Sequence, residues 1–405
     1  MTNPGTMTTP TILEATAKVE QKVIELRHHL HRHPELSFQE VQTAALVQRE
    51  LALLPLSDLT PGVYGTGVTA LLQGNGSDPR TILLRADMDA LPIQEDTGLP
   101  FSSEVPGVMH ACGHDGHTAI LLGAAMVLSE LRAHLPGSVK LVFQPAEETE
   151  GGAEGMIREG VLENPHVDAA VGLHLWGSVP RGVVEYRSGP LMAAPDVFSI
   201  RVIGKGGHAA LPHQCIDPVP MAAAIIQQFQ TLIARRVDPL ESVVLSVCRL
   251  EAGTAFNVIP DEVLLEGTVR TLNQEVREAI PGMIEDVLRQ VTGIHGGSYH
   301  LDYSFRYPPL VNDPAITDLV RKAAEDVLGA DRVRKAKQPN MGGEDFAYFA
   351  RAVPSSFFYL GIAPSEEDLV RHHHPTFRID DTVLKDGIAV LCRSVFDFFA
   401  SPLAE

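Results

Sequence analysis

The sequence predicts an α/β protein with two domains: a larger one around a mostly parallel sheet, and a smaller α+β unit inserted into it. Three observations lead there. Short, nearly continuous apolar runs at 81–86, 138–143 and 168–173 alternate with helical segments, as strands buried on both faces of a parallel sheet do. Between 198 and 305 the order becomes β-α-β-β-α-β, that of a ferredoxin-like unit. A chain of 405 residues also exceeds what one hydrophobic core usually fills.

Taken in order, residues 1–10 form a polar, Thr-rich lead expected to be disordered. Residues 11–32 repeat apolar side chains at helical spacing and stop at His33-Pro34, and 40–54 reads as a second helix. The first buried strand, 81–86, is followed by a helix at 117–133, then by the strands 138–143 and 168–173. Past Pro195 the pattern changes. Residues 198–204 alternate like a half-exposed strand, followed by a helix at 217–236, strands at 242–250 and 262–272, a helix near 275–292 and a strand at 299–305. Helix resumes after Pro308, then come a strand at 355–361 and a last helix near 383–400. Residues 11–190 with 306–405 thus make one domain and 191–305 the other, joined by linkers near 189–196 and 305–309.

Composition narrows the function. Lys and Arg number 32 against 51 Asp and Glu, a formal charge of −19 that argues against a nucleic-acid partner. No 18-residue apolar segment and no signal peptide is found, so a membrane role is not expected. Four scattered cysteines give no disulfide framework, which fits a reducing cytoplasm where a cysteine can ligate metal.

The chemistry collects at strand ends, where ligands of open α/β sheets sit. Residues 109–117 read Met-His-Ala-Cys-Gly-His-Asp-Gly-His, just before an apolar helix. Thiolate, imidazole and carboxylate hold a borderline-soft cation such as zinc. The alternative is a polar loop with Asp115 or Thr118 as a helix cap. The first strand runs into Asp87-Met-Asp89, the second into Gln144-Pro-Ala-Glu147-Glu148, and the third into His174-Leu-Trp176. Of two adjacent carboxylates, one can bind a metal while the other moves a proton, which is the apparatus of metal-assisted hydrolysis. His28-His-Leu-His-Arg-His33 ends a long helix and reads as a surface feature. His372-His-His374 follows the strand at 355–361, so one of the three is expected to be a ligand. His166 and His295 lie in turns without partners. In the inserted unit, His208 and His213 stand in a glycine-rich turn, or simply in a strand–helix connection. Arg270, late in a strand, can grip a substrate carboxylate or pair with Glu266.

Together these residues resemble the metal-dependent aminoacylase and carboxypeptidase family. The similarity is to its amidohydrolase branch, with hippurate hydrolases, N-acyl-amino-acid amidohydrolases and plant auxin-conjugate hydrolases. It runs from about His28 to Phe399 through 27–35, Arg-Ala-Asp-Met-Asp-Ala-Leu-Pro (85–92), 109–117, 144–148, Gly-Leu-His-Leu-Trp (172–176), Gly-Lys-Gly-Gly-His-Ala-Ala (204–210), Met-Gly-Gly-Glu-Asp-Phe (341–346) and His-His-Pro-Thr-Phe (373–377). The resemblance implies a metallo-exopeptidase-like catalytic domain and a ferredoxin-like lid that also serves dimerisation. It implies one or two divalent ions per subunit, zinc or manganese first and cobalt or nickel as alternatives. Cys112, His114, Glu148, His174 and His373 match the ligands, the last because the ligand stands two places before the proline. Glu147 matches the general base, His208 an oxyanion donor, and Asn257 and Arg270 the substrate-carboxylate positions. The branch carries Asp87-Met-Asp89 where others have a His-x-Asp ligand motif, so Asp87 is given no metal role and Asp89 a supporting one behind the ligands. His110 and His117 are left as supporting or structural residues.

The expected reaction is amide hydrolysis of an N-acyl amino acid or short peptide by a metal-activated water, with Glu147 taking its proton. A carboxypeptidase or dipeptidase, or an N-acetyl-diaminopimelate deacetylase, would use the same residues. A non-catalytic binding protein would have no need of Glu147 beside Glu148. A homodimer or homotetramer is expected, through an edge among strands 198–204 and 242–250.

Overall fold

The computed structural model describes residues 7–149 and 151–401. They fall into two compact units. One takes the chain up to Gly189, Val311–Gln338 and everything from Tyr348 on; the other takes Pro190–Leu310 and Pro339–Ala347.

The first unit is built on an eight-stranded sheet in the order Ser57–Val63, Gly67–Gln73, Ser138–Gln144, Thr81–Asp87, Ala169–Pro180, Ser355–Ala363, Val184–Tyr186, Val333–Lys335. The four strands from Ser138–Gln144 to Ser355–Ala363 run parallel, and their apolar runs are buried along nearly their whole length. The sheet is nonetheless mixed. Gly67–Gln73 and Ser57–Val63 extend it antiparallel on one side, and Val184–Tyr186 joins Ser355–Ala363 antiparallel on the other. A three-residue connection at 64–66 has no room for a crossover, so this hairpin can only be antiparallel. Its outer strand carries Pro61 and Gly62 and is largely exposed, which hid it in the sequence. The third buried strand also runs further than the apolar pattern implied, so His174 and Trp176 lie within Ala169–Pro180 rather than beyond it.

Helices Thr9–Arg32, His114–Glu130 and Leu384–Ala400 pack together over this sheet, with Val23, Ile120, Leu121, Leu128 and Ile388 in one core. Their close approach needs Gly123: a Cβ there would lie 2.5 Å from Ile388 Cδ1 and 2.8 Å from Val23 Cγ2. The first helix begins at Thr9, with Pro10 in its opening turn, and Met7 is already buried. The expected disordered lead is therefore wrong from Met7 on, and residues 1–6 lie outside the described residues. The His28–His33 face also departs from expectation. His31 is fully buried, as is Arg27 one turn before it, because Asp115 at the start of His114–Glu130 and Glu95 from a loop cover them.

The second unit has a four-stranded antiparallel sheet in the order Val243–Ala252, Glu262–Thr271, Ala194–Ile203, Ser298–Ser304. Helices Pro218–Arg236 and Gln274–Ile294 share a core with it through Met221, Ile225, Phe229, Ile280, Ile284 and Leu288. A buried pair of Arg277 and Asp196 (2.7 Å) ties the second helix to the first strand. Ala194–Ile203 is interior, so it is not an edge; the edges are Val243–Ala252 and Ser298–Ser304. Among the described residues no helix is long and apolar enough to cross a membrane.

Candidate metal centre

Strand register assembles the centre. Asp87 stands opposite Gln144 on the neighbouring parallel strand, so the segments that follow, Met88-Asp89 and Pro145–Glu148, leave the sheet side by side. Asp89 is buried beneath the acidic loop and holds it by the backbone. Its Oδ1 accepts from Glu147 N (3.1 Å), and its Oδ2 accepts from Glu148 N (3.0 Å) and Ser37 Oγ (2.7 Å). Ala146 sits in the left-handed region at φ 55°, a costly position for alanine. Its N–H donates to the buried Glu40 Oε1 (2.9 Å), whose other oxygen accepts from Thr66 Oγ1 (2.5 Å). Burial raises the Glu40 carboxyl above its ordinary range, and the Asp89 charge adds to this. Neither Glu40 nor Ser37 was singled out in the sequence.

The run at 109–117 turns at Gly113, which starts the helix from φ 99°, a conformation open to glycine. No side chain caps this helix, so the cap reading of Asp115 and Thr118 falls away. Asp115 instead binds Arg27 and His31 (both 2.8 Å), and Thr118 Oγ1 donates to the Asp87 carbonyl (2.8 Å). His114 Nδ1 donates to Asp89 Oδ1 (3.2 Å), leaving Nε2 to face outward from that bond. His174 Nδ1 donates to its neighbour's carbonyl, Leu175 O (2.8 Å), and its Nε2 faces Cys112 Sγ at 3.4 Å. In both rings one nitrogen is anchored and the other is presented, as in metal-binding histidines.

The donor atoms of Cys112, His114 and His174 lie within 4.8 Å of one another, as do those of Cys112, Glu148 and His373, and of His114, Glu147 and Glu148. These overlapping groups bring together every ligand expected from sequence, with Glu147 beside them. His373 Nε2 is 3.2 Å from Glu148 Oε1 and, unlike the rest, its side chain is half exposed. Within this cluster His114 Nε2, 3.8 Å from Glu148 Oε1, is buried without a hydrogen-bond partner. Buried polar atoms are seldom left so. An orphaned imidazole nitrogen among thiol, imidazole and carboxylate groups fits a divalent cation well.

A further group, Asp87, His114 and His117, is equally tight but differently employed. Asp87 accepts from Arg85 Nη1 and from His117 Nδ1 (both 2.7 Å), while His117 Nε2 accepts from Leu175 N (2.8 Å). With both nitrogens engaged, His117 is a strut between strands. His110 is buried and lies in none of these groups, and burial lowers its imidazole to about 4.

Electrostatics favour a cation. Burial opposes a charged His114, yet Asp87, Asp89 and Glu148 push it up to about 10. Burial, then the Glu148, Glu147 and Asp87 charges, hold the Cys112 thiol well above its usual range. A dication at the cluster would reverse that, since a coordinated thiol is deprotonated.

In the second unit, a short ladder sets His208 opposite Val258, next to Asn257. Both residues are exposed, and Asn257 O accepts from Ala209 N (3.1 Å). His208 Nδ1 accepts from Ala210 N (3.1 Å), so the neutral ring carries its proton on Nε2. Arg270, on Glu262–Thr271, is half-buried, and Glu266 does not pair with it: Arg249 takes Glu266 (2.8 Å) and Arg277 takes Asp196. Among the described residues Arg270 has no ion-pair partner.

Residues 83–397 match the model of Peptidase family M20/M25/M40, and the chain belongs to this family. It is 47% identical over 307 residues to the N-acyl-L-amino acid amidohydrolase of Geobacillus stearothermophilus, covering 76% of this chain and 82% of that one. It is 38% identical over 375 residues to thermostable carboxypeptidase 1 of Saccharolobus solfataricus, covering 91% and 93%. Among solved structures, Bacillus subtilis YXEP protein, a dinuclear metal binding peptidase from M20 family, superposes with a TM-score of 0.84 at 35% identity, covering 95% of this chain and all of that one. The chain is accordingly a hydrolase of amide bonds.

Proposed function

We propose that the protein is a divalent-metal-dependent amidohydrolase that cleaves the amide bond of N-acyl amino acids. The observation that carries this is the Glu147-Glu148 pair: adjacent carboxylates beyond a buried strand, both amides held by Asp89, in one cluster with His114. In this reading Cys112, His114, Glu148, His174 and His373 hold up to two ions, matching the dinuclear description of the YXEP protein. A bound ion supplies Lewis-acid polarisation of the acyl carbonyl and makes water more acidic. Glu147 removes a proton from the attacking water and returns it to the leaving amine. Asp89 keeps the acidic loop and His114 in place, and Glu40 supports the strained Ala146.

His208, with its proton on Nε2, is the proposed donor to the developing oxyanion, and Arg270 and Asn257 are the proposed receivers of the substrate carboxylate. The unpartnered guanidinium of Arg270 favours an acidic product end over a neutral one. An N-acyl amino acid has that carboxylate, and so does a C-terminal peptide residue, which keeps carboxypeptidase activity as the second reading beside the Saccharolobus relative.

Turnover of N-acetyl, N-benzoyl and indole-acetyl amino acids and of dipeptides, each with zinc, manganese, cobalt or nickel, tests the proposal. N-acyl amino acids are expected to be cleaved faster than dipeptides, and no cleavage of any amide would refute it. Arg270→Ala is expected to raise KM for the free acids by roughly one to two orders of magnitude, the weight of a charge-assisted pair. The matching esters should show no such change.

A further inference from the structure

We propose that His372 donates a hydrogen bond from Nδ1 to the Cys112 sulfur and tunes that ligand without binding metal itself. The inference rests on the metal centre proposed above. The ring's tautomer follows from one contact: Gly177 N, which can only donate, lies 2.8 Å from His372 Nε2. Nε2 therefore carries the lone pair, and the neutral ring holds its proton on Nδ1. Nδ1 stands 3.8 Å from Cys112 Sγ, a separation suited to a large sulfur acceptor.

The strand, rather than the histidine run, fixes this geometry. Val370 N donates to Gly177 O (2.8 Å), so Gly177 pins the segment by both its carbonyl and its amide. A Cβ at position 177 would meet Val370 O at 2.0 Å, which leaves room for glycine only. The His372 ring packs against Trp176, Phe377 and His174, with centroids 4.9, 5.1 and 5.3 Å away. The next residue turns through φ 55° and sends the His373 ring toward Glu148 instead. Two adjacent histidines thus face two different members of the cluster.

The consequence is chemical. An N–H donor to a thiolate ligand is a charge-assisted hydrogen bond and stabilises the charge on sulfur. It also draws electron density from sulfur and makes it a less basic ligand.

The full-length protein loaded with cobalt reports on this directly, through the thiolate-to-cobalt charge-transfer band. Three variants separate the ring's two bonds. In His372→Asn the amide nitrogen falls near Nδ1 and keeps the donor; in His372→Gln the amide falls near Nε2 and keeps only the Gly177 contact; His372→Phe keeps neither. The Gln and Phe variants are expected to shift the band to longer wavelength and weaken cobalt retention against a chelator by about 10–100-fold. The Asn variant should stay close to wild type, and all should bind the same number of ions at saturation. An unchanged band in the Gln and Phe variants would overturn the role of His372. Loss of one ion per chain in all three would make His372 a ligand and overturn it as well. A wild-type band that survives Cys112→Ser would instead overturn the metal-centre assignment, and this inference with it.

Discussion

Asp89 is the residue on which most of the centre hangs. Its two oxygens take an imidazole N–H, two backbone amides and a hydroxyl, all aimed at groups that must hold still. Each buried donor left without an acceptor costs about 1–3 kcal/mol. Asp89→Ala is therefore expected to weaken metal binding by about 10–100-fold in a chelator competition, and Ser37→Ala far less. An Asp89→Ala protein with wild-type affinity would remove this residue from the account. At this scale the sequence was readable wherever a donor borders an apolar run: Glu147, Glu148 and His174 follow one, and Cys112 and His114 precede one. Glu40 was not readable, because its partner Ala146 is 106 residues away and nothing in the local pattern of a helix start signals the pairing. His31 misled for a related reason. Periodicity identifies a polar helix face, but not the helix and loop that cover it.

The first helix, Thr9–Arg32, shows which contacts matter between elements. Its exposed pair Lys18–Glu130 contributes about 0–1 kcal/mol. Breaking the buried Arg27–Asp115 pair would cost about 3–5 kcal/mol, since an unpaired charge would stay inside. Glu95 closes this cluster over His31 Nε2 (3.3 Å) and also accepts from Ser103 N (2.6 Å). Burial opposes ionisation, but these bonds and that of Thr97 hold its carboxyl down at about 2. A folded pKa below the unfolded one stabilises the protein above about pH 4.5, and that contribution fades as pH falls toward 2. Glu95→Gln is thus expected to unfold at lower denaturant than wild type at neutral pH, with the gap closing on acidification. A gap independent of pH would contradict the assignment. Long helices and most of the buried strands were legible as elements, because continuous apolar runs and helical periodicity survive in one dimension. The hairpin at 57–73 was not expected: its outer strand has neither pattern, although Gly67–Gln73 beside it is buried.

Across the molecule, the proposed ions tie together the turn at Cys112–His114, the acidic loop at Glu148, the strand at His174 and the late turn at His373. Ligands that bind only the folded state stabilise it by mass action, about 4 kcal/mol at a thousandfold excess over Kd. Chelation is therefore expected to lower the thermal midpoint, and added metal to restore it. Cys112→Ser should narrow the difference, whereas an unmoved midpoint would mean the groups are held without an ion. The change of pattern near Pro195 lies close to the division between the two units at Gly189 and Pro190. The sheet's mixed direction was not visible in the sequence, because it comes from the hairpin at 57–73 and the three-residue strand Val184–Tyr186, neither of which was expected there. Glu147 tests the central claim most directly, by measuring bound metal and turnover of an N-acyl amino acid side by side in Glu147→Gln. Full metal occupancy with turnover reduced by at least about 100-fold is the predicted result, the lower range of general-base catalysis. Near-normal turnover with metal retained would contradict the assignment of Glu147 as the base.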